Sequence, residues 1–218
     1  MTVQPSLTVK AVKKQLRNQI KSSLKSVTQE SLNSQSQCIL TRLANNATFQ
    51  NAKSIAVFMN MPDSEVKTLP IIEQCFKLNK SVYLPRCNTV PLKHRKPNYL
   101  SMLKVETYND ILQLQPQGKY QLLEPTSGED ALESGDLDLI LLPGVAFSAT
   151  LQRLGHGAGF YDEFLDTYKQ KWSKLPALIG LSLQEQIVPE DSLPVEDHDY
   201  GLDQIVTSSS TYPSLHQI

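Results

Sequence analysis

The feature that most constrains the fold is a glycine-rich loop between a predicted strand and a predicted helix. The largely apolar run from Leu137 to Leu142 has the length of a buried strand, and Pro143-Gly144 ends it. The segment from Phe160 to Lys171 predicts a helix. Between the two lies Arg153-Leu154-Gly155-His156-Gly157-Ala158-Gly159-Phe160-Tyr161-Asp162. Because α/β proteins bind anions where such a loop enters a helix, this order predicts an anion site.

The residues of this loop are of the types that bind phosphate. Glycines at alternate positions lack a Cβ atom, so that backbone amides can approach an anion closely. Arg153 precedes the glycines as a cation, and Asp162 follows them as a carboxylate able to hold Mg²⁺. The loop matches neither the dinucleotide fingerprint nor the common phosphate loop. A plain surface turn is therefore the alternative, and the flanking Arg153, Tyr161 and Asp162 favour binding.

The rest of the chain alternates between predicted helices and strands. We expect helices from about residue 9, from a Ser26 cap to about Asn46, and over Val66–Leu78, and strands over Ser54–Met59, Ser81–Leu84, Ala177–Leu183 and Gln204–Thr207. A polar middle separates residues 88 and 136. The alternation predicts a single-domain, three-layer α/β/α fold of Rossmann-like type with a mainly parallel sheet over residues 1–207. Residues 208–218 are expected to form a mobile tail.

Composition excludes several classes of protein. A net charge of −1 argues against a general nucleic-acid binder, and no apolar run has the roughly 18 residues of a membrane helix. The three cysteines, Cys38, Cys75 and Cys87, form no Cys-x-x-Cys pair, which argues against a disulfide framework or a zinc site. We therefore expect neither a nucleic-acid partner nor a membrane partner.

The N-terminal segment is basic and periodic. It contains six Lys or Arg residues and no acid before Glu30, a composition also typical of a mitochondrial transit peptide. Apolar residues recur every three or four positions and predict a helix with one apolar stripe: Val9, Val12, Leu16, Ile20, Leu24 and Val27. Lys13 and Arg17 share a face beside that stripe. A solvated basic face, or a helix that contacts RNA or an anionic membrane, is the alternative.

These motifs resemble the 5-formyltetrahydrofolate cyclo-ligases, also called methenyltetrahydrofolate synthetases. The family pattern runs roughly Pro-Gly-x-x-Phe-Asp, then Arg-Leu-Gly-x-Gly-x-Gly-Tyr-Tyr-Asp. This chain departs from it at Ser148, Leu151 and Phe160. Further similar segments are Lys13-Lys14-Gln15-Leu16-Arg17, Phe58 to Val66, Tyr83 to Arg86, Glu124-Pro125, Glu185-Gln186 and Glu196-Asp197-His198-Asp199.

The resemblance implies an activity and a set of site residues. It implies that ATP phosphorylates the formyl oxygen of 5-formyltetrahydrofolate, and that cyclisation then yields 5,10-methenyltetrahydrofolate, ADP and phosphate. It implies catalytic roles for Arg153, Lys13 and Tyr161, and Mg²⁺ ligation by Asp162 and Asp199. It implies nucleotide binding by Lys13, Lys14, Gln15, Leu16, Arg17, Arg153, Leu154, Gly155, His156, Gly157, Ala158, Gly159, Phe160 and Tyr161.

The resemblance also implies a folate site. Glu65, Met59 and Arg86 are its predicted substrate-binding residues. Each has a plainer interpretation: Glu65 as a solvated loop acid, Met59 as a core residue, and Arg86 as half of a surface ion pair. The basic loop Lys93-His94-Arg95-Lys96 is interpreted as a solvated loop, or as an attractor for the anionic tail of polyglutamylated folate.

Two further expectations concern the setting of the enzyme. We expect a monomer in the cytoplasm, with a mitochondrial location as the alternative that the basic N-terminus raises. A catalytically inactive relative that binds nucleotide or folate as a regulatory module is the remaining alternative, for which Ser148 and Phe160 are the local hints. The presence of both Asp162 and Asp199 argues against it.

Overall fold

The computed structural model describes residues 8–89, 93, 95–118, 121–196 and 199–213. Its helices are α1 (Val9–Leu24), α2 (Gln29–Ala44), α3 (Ala47–Asn51), α4 (Leu69–Lys77), α5 (Tyr108–Leu112), α6 (Ala131–Ser134) and α7 (Phe160–Trp172). Its strands are β1 (Ser54–Val57), β2 (Ser81–Asn88), β3 (Tyr99–Val105), β4 (Pro116–Gln117), β5 (Leu122–Leu123), β6 (Leu139–Leu142), β7 (Ala146–Ser148), β8 (Arg153–Leu154), β9 (Ala177–Leu181), β10 (Ile187–Val188), β11 (Gln204–Val206) and β12 (Thr211–Tyr212).

A seven-stranded sheet in the order β12-β11-β9-β6-β1-β2-β3 forms the centre of the molecule. The five inner strands are parallel, and β12 and β3 close the edges in antiparallel pairing. Smaller sheets are formed by β10-β7-β8 and by β4-β5. The prediction of an α/β fold with a mainly parallel sheet is confirmed.

The sheet is buried on both faces because its inner strands carry mostly apolar residues, in β6 at every position. Ile55 and Val57 of β1 point into one core with residues of α1 to α4, whereas Ala56 points into a second core with Phe164 and Tyr168 of α7. Successive strand residues face opposite sides of a sheet, so one short strand contributes to both cores. This arrangement gives the three layers that the sequence predicted.

Helix α1 is part of the core. Leu16, Ile20 and Leu24 are buried at the helical spacing that the sequence predicted, whereas Val9 is exposed. Thr28, rather than Ser26, caps α2: its side chain accepts a hydrogen bond from Ser31 N at 3.1 Å. Among the described residues, no helix combines the length and apolarity needed to cross a membrane.

The polar middle is more regular than predicted. It contains β3, which pairs with β2 along seven residues from Val82 to Asn88. The predicted C-terminal tail contains β12, which pairs antiparallel with β11, and residues 214–218 lie outside the described part of the chain.

Candidate functional site

The candidate site lies at the carboxyl ends of β1 and β6, where the connections of the sheet diverge. The chain moves from β1 to β2 on one side, while β6 pairs with β1 on the other. Open α/β sheets bind ligands in the crevice formed at such a point. Phe58 and Met59 follow β1, and Pro143 and Gly144 follow β6. The predicted folate segment and the predicted phosphate loop are therefore neighbours.

The sequence predicts that the glycine loop connects the buried strand β6 to the helix α7, but in the structure the loop does not follow β6 directly. The strands β7 and β8 intervene and pair antiparallel, so that the loop joins β8 to α7. Gly157 has φ +104° and Gly159 has φ +67°, both in the region that favours glycine. Gly159 occupies the N-cap position of α7 and offers no side chain to its first amides. The N-terminus of a 13-residue helix is thus open to an anion.

Arg17 from α1 lies against this loop. Its Nε donates a hydrogen bond to Gly155 O at 2.8 Å, and a Cβ atom on Gly157 would lie 3.4 Å from its Cζ. Burial lowers the pKa of Arg17, while the charge of Asp199 raises it in part. The guanidinium therefore sits at the predicted phosphate loop with its planar face close to the backbone.

Arg153 is buried beneath the same loop. Its Nη2 donates to Asp162 Oδ1 at 3.0 Å, and its Cζ lies 5.6 Å from the centre of the Tyr161 ring. Its Nε is buried and has no hydrogen-bond partner among the described residues. An unpaired buried donor is costly, which makes this arginine a candidate for an anionic ligand. Burial, and then the charge of Glu65, raise the pKa of Tyr161, so this phenol is neutral.

Lys13 has partners that the sequence did not indicate. Its Nζ lies 2.7 Å from Glu196 Oε2 and 2.5 Å from Asp199 Oδ2, and its side chain is only 8% exposed. Burial lowers its pKa, but the hydrogen bonds and charges of Asp199 and Glu196 outweigh burial and raise the pKa above its ordinary value. The structure therefore joins a predicted phosphate ligand to a predicted metal ligand.

The other residues of the predicted nucleotide segment of α1 do not face the loop. Lys14 and Gln15 are exposed, and Leu16 belongs to the apolar core. Among residues 13 to 17, the structure brings only Lys13 and Arg17 to the site.

The two predicted metal ligands are each paired with a cation. Asp162 pairs with Arg153, and Asp199 pairs with Lys13 and accepts a hydrogen bond from Glu196 N at 2.9 Å. Within the described ranges, no group of three or more His, Cys, Asp or Glu side chains is arranged as a metal site. Mg²⁺ is commonly held by one or two carboxylates together with the phosphates of a substrate. Two carboxylates beside a phosphate loop fit that donor set.

A small apolar cavity of about 130 Å³ adjoins the glycine loop. Its lining includes Ala158, Phe160 and Tyr161 of the loop and Met59 of the predicted folate segment. Two buried carboxylates, Glu65 and Glu124, also line it. The chemistry suits a flat, largely apolar ring system with polar N–H groups at its edge.

Glu65 also lines a larger cavity of about 560 Å³, together with Lys21, Lys25 and His156. Its Oε2 accepts a hydrogen bond from Met61 N at 2.7 Å, and His156 Nε2 lies 3.4 Å from its Oε1. Glu65 is 6% exposed, so it is not the solvated loop acid of the plainer interpretation. It lies instead between the two cavities.

Sequence reasoning placed some residues differently and missed others. Arg86 donates to Thr126 O and lines neither cavity, so the structure does not bring it to the predicted folate residues. Glu124 was not predicted as a site residue, although its segment was among those that resembled the family. Arg95 is not solvated: it forms a buried ion pair with Glu163. No sequence signal distinguishes it from its basic neighbours.

The chain is similar to proteins of one known family. The model of the 5-formyltetrahydrofolate cyclo-ligase family matches residues 9–208. A 5-formyltetrahydrofolate cyclo-ligase of Saccharomyces cerevisiae is 37% identical over 205 residues, covering 90% of this chain and 95% of that relative. One of Mus musculus is 32% identical over 208 residues, covering 94% and 98%. The solution structure of a 5,10-methenyltetrahydrofolate synthetase of Aquifex aeolicus shares the fold, with a TM-score of 0.73, 24% identity and 92% of each chain covered.

Proposed function

The chain belongs to the 5-formyltetrahydrofolate cyclo-ligase family, and on that premise we propose that its site converts 5-formyltetrahydrofolate to 5,10-methenyltetrahydrofolate with ATP as phosphoryl donor. One observation carries the proposal. The segment 155–162 contributes at once to the open N-terminus of α7 and to the wall of the small cavity. A nucleotide phosphate and a folate ring bound there would share one loop, which is the positioning that phosphoryl transfer requires.

The proposed reaction has two steps. The formyl oxygen of the substrate attacks the γ-phosphorus of ATP, and ADP leaves with the electrons of the broken P–O bond. The folate nitrogen that carries the side-chain linker then attacks the activated carbon and loses its proton to solvent. Phosphate departs with the electrons of the broken C–O bond as the methenyl bridge forms. The first step converts the amide-like oxygen, which is a poor leaving group, into a phosphate ester, which is a good one.

The cationic side chains supply the charge that this transfer needs. Arg17 and Arg153 lie at the loop, and both can donate in pairs to phosphate oxygens. The buried Nε of Arg153, which has no hydrogen-bond partner among the described residues, supports an anionic ligand here. The backbone amides at the start of α7 add donors that need no reorganisation when charge develops. Lys13 would join them once its contact with Asp199 is exchanged for a phosphate contact.

Asp162 and Asp199 are the residues that would hold Mg²⁺. A bound Mg²⁺ would supply positive charge that offsets the negative charge of the nucleotide phosphates. Both carboxylates form ion pairs with cations of the site, Asp162 with Arg153 and Asp199 with Lys13. They therefore lie close to the side chains that would bind the phosphates.

The small cavity is the proposed position of the pterin ring. Its volume of about 130 Å³ and its apolar walls suit a flat bicyclic ring. Glu65 and Glu124 are its carboxylates, and each can accept N–H donors of the pterin edge side by side. The larger cavity next to Glu65 would receive the rest of the folate, where Lys21 and Lys25 offer positive charge to its glutamate.

The test of the function is a reaction in which each component is omitted in turn. The absorbance of 5,10-methenyltetrahydrofolate should appear only when protein, ATP, Mg²⁺ and 5-formyltetrahydrofolate are all present, with one ADP formed per product. Binding of ATP and folate without product would instead identify a non-catalytic regulatory module. Product formation without ATP would contradict the phosphoryl-transfer mechanism.

A further inference from the structure

The basic loop that contains Arg95 and Lys96 lies against α7, and the function proposed above does not use it. Arg95 Nε and Nη2 donate to Glu163 Oε1 and Oε2 at 2.8 and 2.7 Å, and Nη2 also donates to Leu100 O at 3.0 Å. Its Cζ lies 4.1 Å from the centre of the Tyr99 ring. Both charged side chains of the pair are less than a tenth exposed. The loop is therefore fixed to the first turn of α7, immediately after the phosphate loop.

This attachment places Lys96 over the phosphate loop. A Cβ atom on Gly159 would lie 3.5 Å from Lys96 Nζ. The lysine is exposed and forms no ion pair or hydrogen bond with any described residue. An ammonium group at the N-terminus of a helix is opposed by the helix dipole, so the position does not stabilise the unliganded protein.

A second, independent observation indicates an anion at the same glycine loop. Arg153 Nε is buried without a hydrogen-bond partner among the described residues, and Arg153 Nη1 would lie 3.1 Å from a Cβ on Gly155. Two cations, one exposed and one buried, thus approach the glycine loop from different elements of the fold. This concentration of positive charge around the glycine loop favours the binding of an anionic phosphate there.

We propose that Lys96 binds the terminal phosphates of the nucleotide, and that Arg95 positions it through its ion pair with Glu163. The inference rests on the nucleotide site proposed above and adds one residue to it. The basic loop was interpreted above as a solvated loop or as an attractor for the folate tail. Under this proposal its Lys96 binds ATP instead. Lys93, an exposed residue of the same loop, has no comparable contact with any residue that the structure describes.

The test compares Lys96→Ala with Lys93→Ala, two removals of an exposed lysine from one loop. We would measure the Kd of the full-length protein for a non-hydrolysable ATP analogue by calorimetry, and the KM values for ATP and for mono- and polyglutamylated folate. Loss of a charge-assisted contact predicts a Kd about 10- to 100-fold higher for Lys96→Ala, with folate KM values unchanged. Lys93→Ala should match the wild type, and Lys96→Arg should retain most of the affinity.

The opposite results would overturn the inference. These are an unchanged nucleotide Kd for Lys96→Ala, an equal loss for Lys93→Ala, or an effect confined to polyglutamylated folate. The comparison does not require turnover. A wild-type protein that binds the analogue but forms no product would therefore contradict the proposed function while leaving the assignment of Lys96 standing.

The positioning role of Arg95 is tested by a double-mutant cycle. Arg95→Met should weaken nucleotide binding in the wild-type background and have little further effect in the Lys96→Ala background. A residue that merely stabilises α7 would weaken binding equally in both backgrounds, and that result would refute the positioning role. If Arg95→Met does not fold, Glu163→Gln provides the same comparison with a smaller change.

Discussion

Lys13 and Asp199, which are 186 positions apart in the chain, form an ion pair with 2.5 Å between Nζ and Oδ2. The same Nζ donates to Glu196 Oε2, so α1 is held to the segment that precedes β11 by two charge-assisted bonds. A cation that binds Asp199 must share this carboxylate with Lys13. Binding of metal and release of Lys13 toward phosphate are therefore expected to be coupled.

The first prediction concerns the two aspartates. Asp162→Asn and Asp199→Asn should each lower kcat by about 10²-fold or more, because charge that holds Mg²⁺ against the phosphates is removed. Initial rates across a Mg²⁺ titration would measure this loss and any rise in the Mg²⁺ requirement. Asp166→Asn is the matched control, since Asp166 lies on the same helix and is exposed. Near-normal turnover with both aspartates replaced would remove the metal assignment.

The second prediction concerns α1. Deleting residues 1–17 removes the buried Leu16 together with Lys13 and Arg17, so the protein should lose cooperative thermal unfolding or ATP binding. Lys13→Gln should destabilise the fold at neutral pH by removing the ion pairs of Lys13 with Glu196 and Asp199, whereas Lys14→Gln should not. An N-terminally truncated protein that keeps its activity would identify the segment as dispensable.

The pH dependence of this pair has a definite sign. The folded-state pKa of Lys13 is raised above its ordinary 10.5. A raised pKa of a basic group contributes stability that is complete below the unfolded pKa and is lost as the pH rises through the folded value. The difference in unfolding free energy between wild type and Lys13→Gln should therefore persist at neutral pH and shrink as the pH rises into the strongly alkaline range.

Local sequence predicted the strand β6 and the helix α7, because each carries its own pattern. β6 and α7 lie where the apolar run and the helical period placed them. β3 was missed because the segments on either side of it in the sequence are polar. Its antiparallel pairing with β2 is seen only in the folded sheet. The position of Lys96 depends on a contact between Arg95 and Glu163, 68 residues apart, and no local pattern encodes such a pairing.

Within the site too, residues of one local motif could be predicted, whereas residues that distant segments bring together could not. Arg153 and Asp162 are nine positions apart in one motif, and their contact follows from the motif itself. Glu65 and Glu124 come from separate connections that meet only at the small cavity. The sequence could therefore suggest the phosphate loop and two of the cavity residues, Met59 and Glu65, but not the full set of cavity walls.

The third prediction concerns those two glutamates. Glu65→Gln and Glu124→Gln should each raise the KM for 5-formyltetrahydrofolate by about 10-fold or more, since an amide accepts fewer of the N–H donors that a carboxylate pairs with. The Kd for an ATP analogue should stay close to the wild-type value. Glu129→Gln, an exposed change in the segment after Glu124, is the control. A loss of ATP affinity without a change in folate KM would assign the small cavity to the nucleotide instead.

The last prediction concerns the cysteines, which report on the small cavity without relying on turnover. Cys87 lines that cavity, and its backbone N–H donates to Glu124 Oε2 at 3.1 Å. Burial, and then the negative charge and hydrogen bond of Glu124, raise the pKa of the Cys87 thiol to about 12. At pH 8 its thiolate fraction is on the order of 10³-fold below that of an ordinary cysteine, so alkylation should be slow. Cys38 is exposed and should react first.

Mass spectrometry of the Cys38→Ser protein would isolate this slow reaction, because Cys75 is buried in the apolar core and its pKa is also raised to about 12 by burial. 5-Formyltetrahydrofolate without ATP should slow the alkylation of Cys87 by an amount that follows its occupancy of the cavity. In the wild-type protein the rate at Cys38 should stay the same, which serves as an internal control. Glu124→Gln should speed the reaction of Cys87, because it removes the charge that disfavours the thiolate. If folate protects Cys38 as much as Cys87, or protects neither, the small cavity is not where the pterin binds.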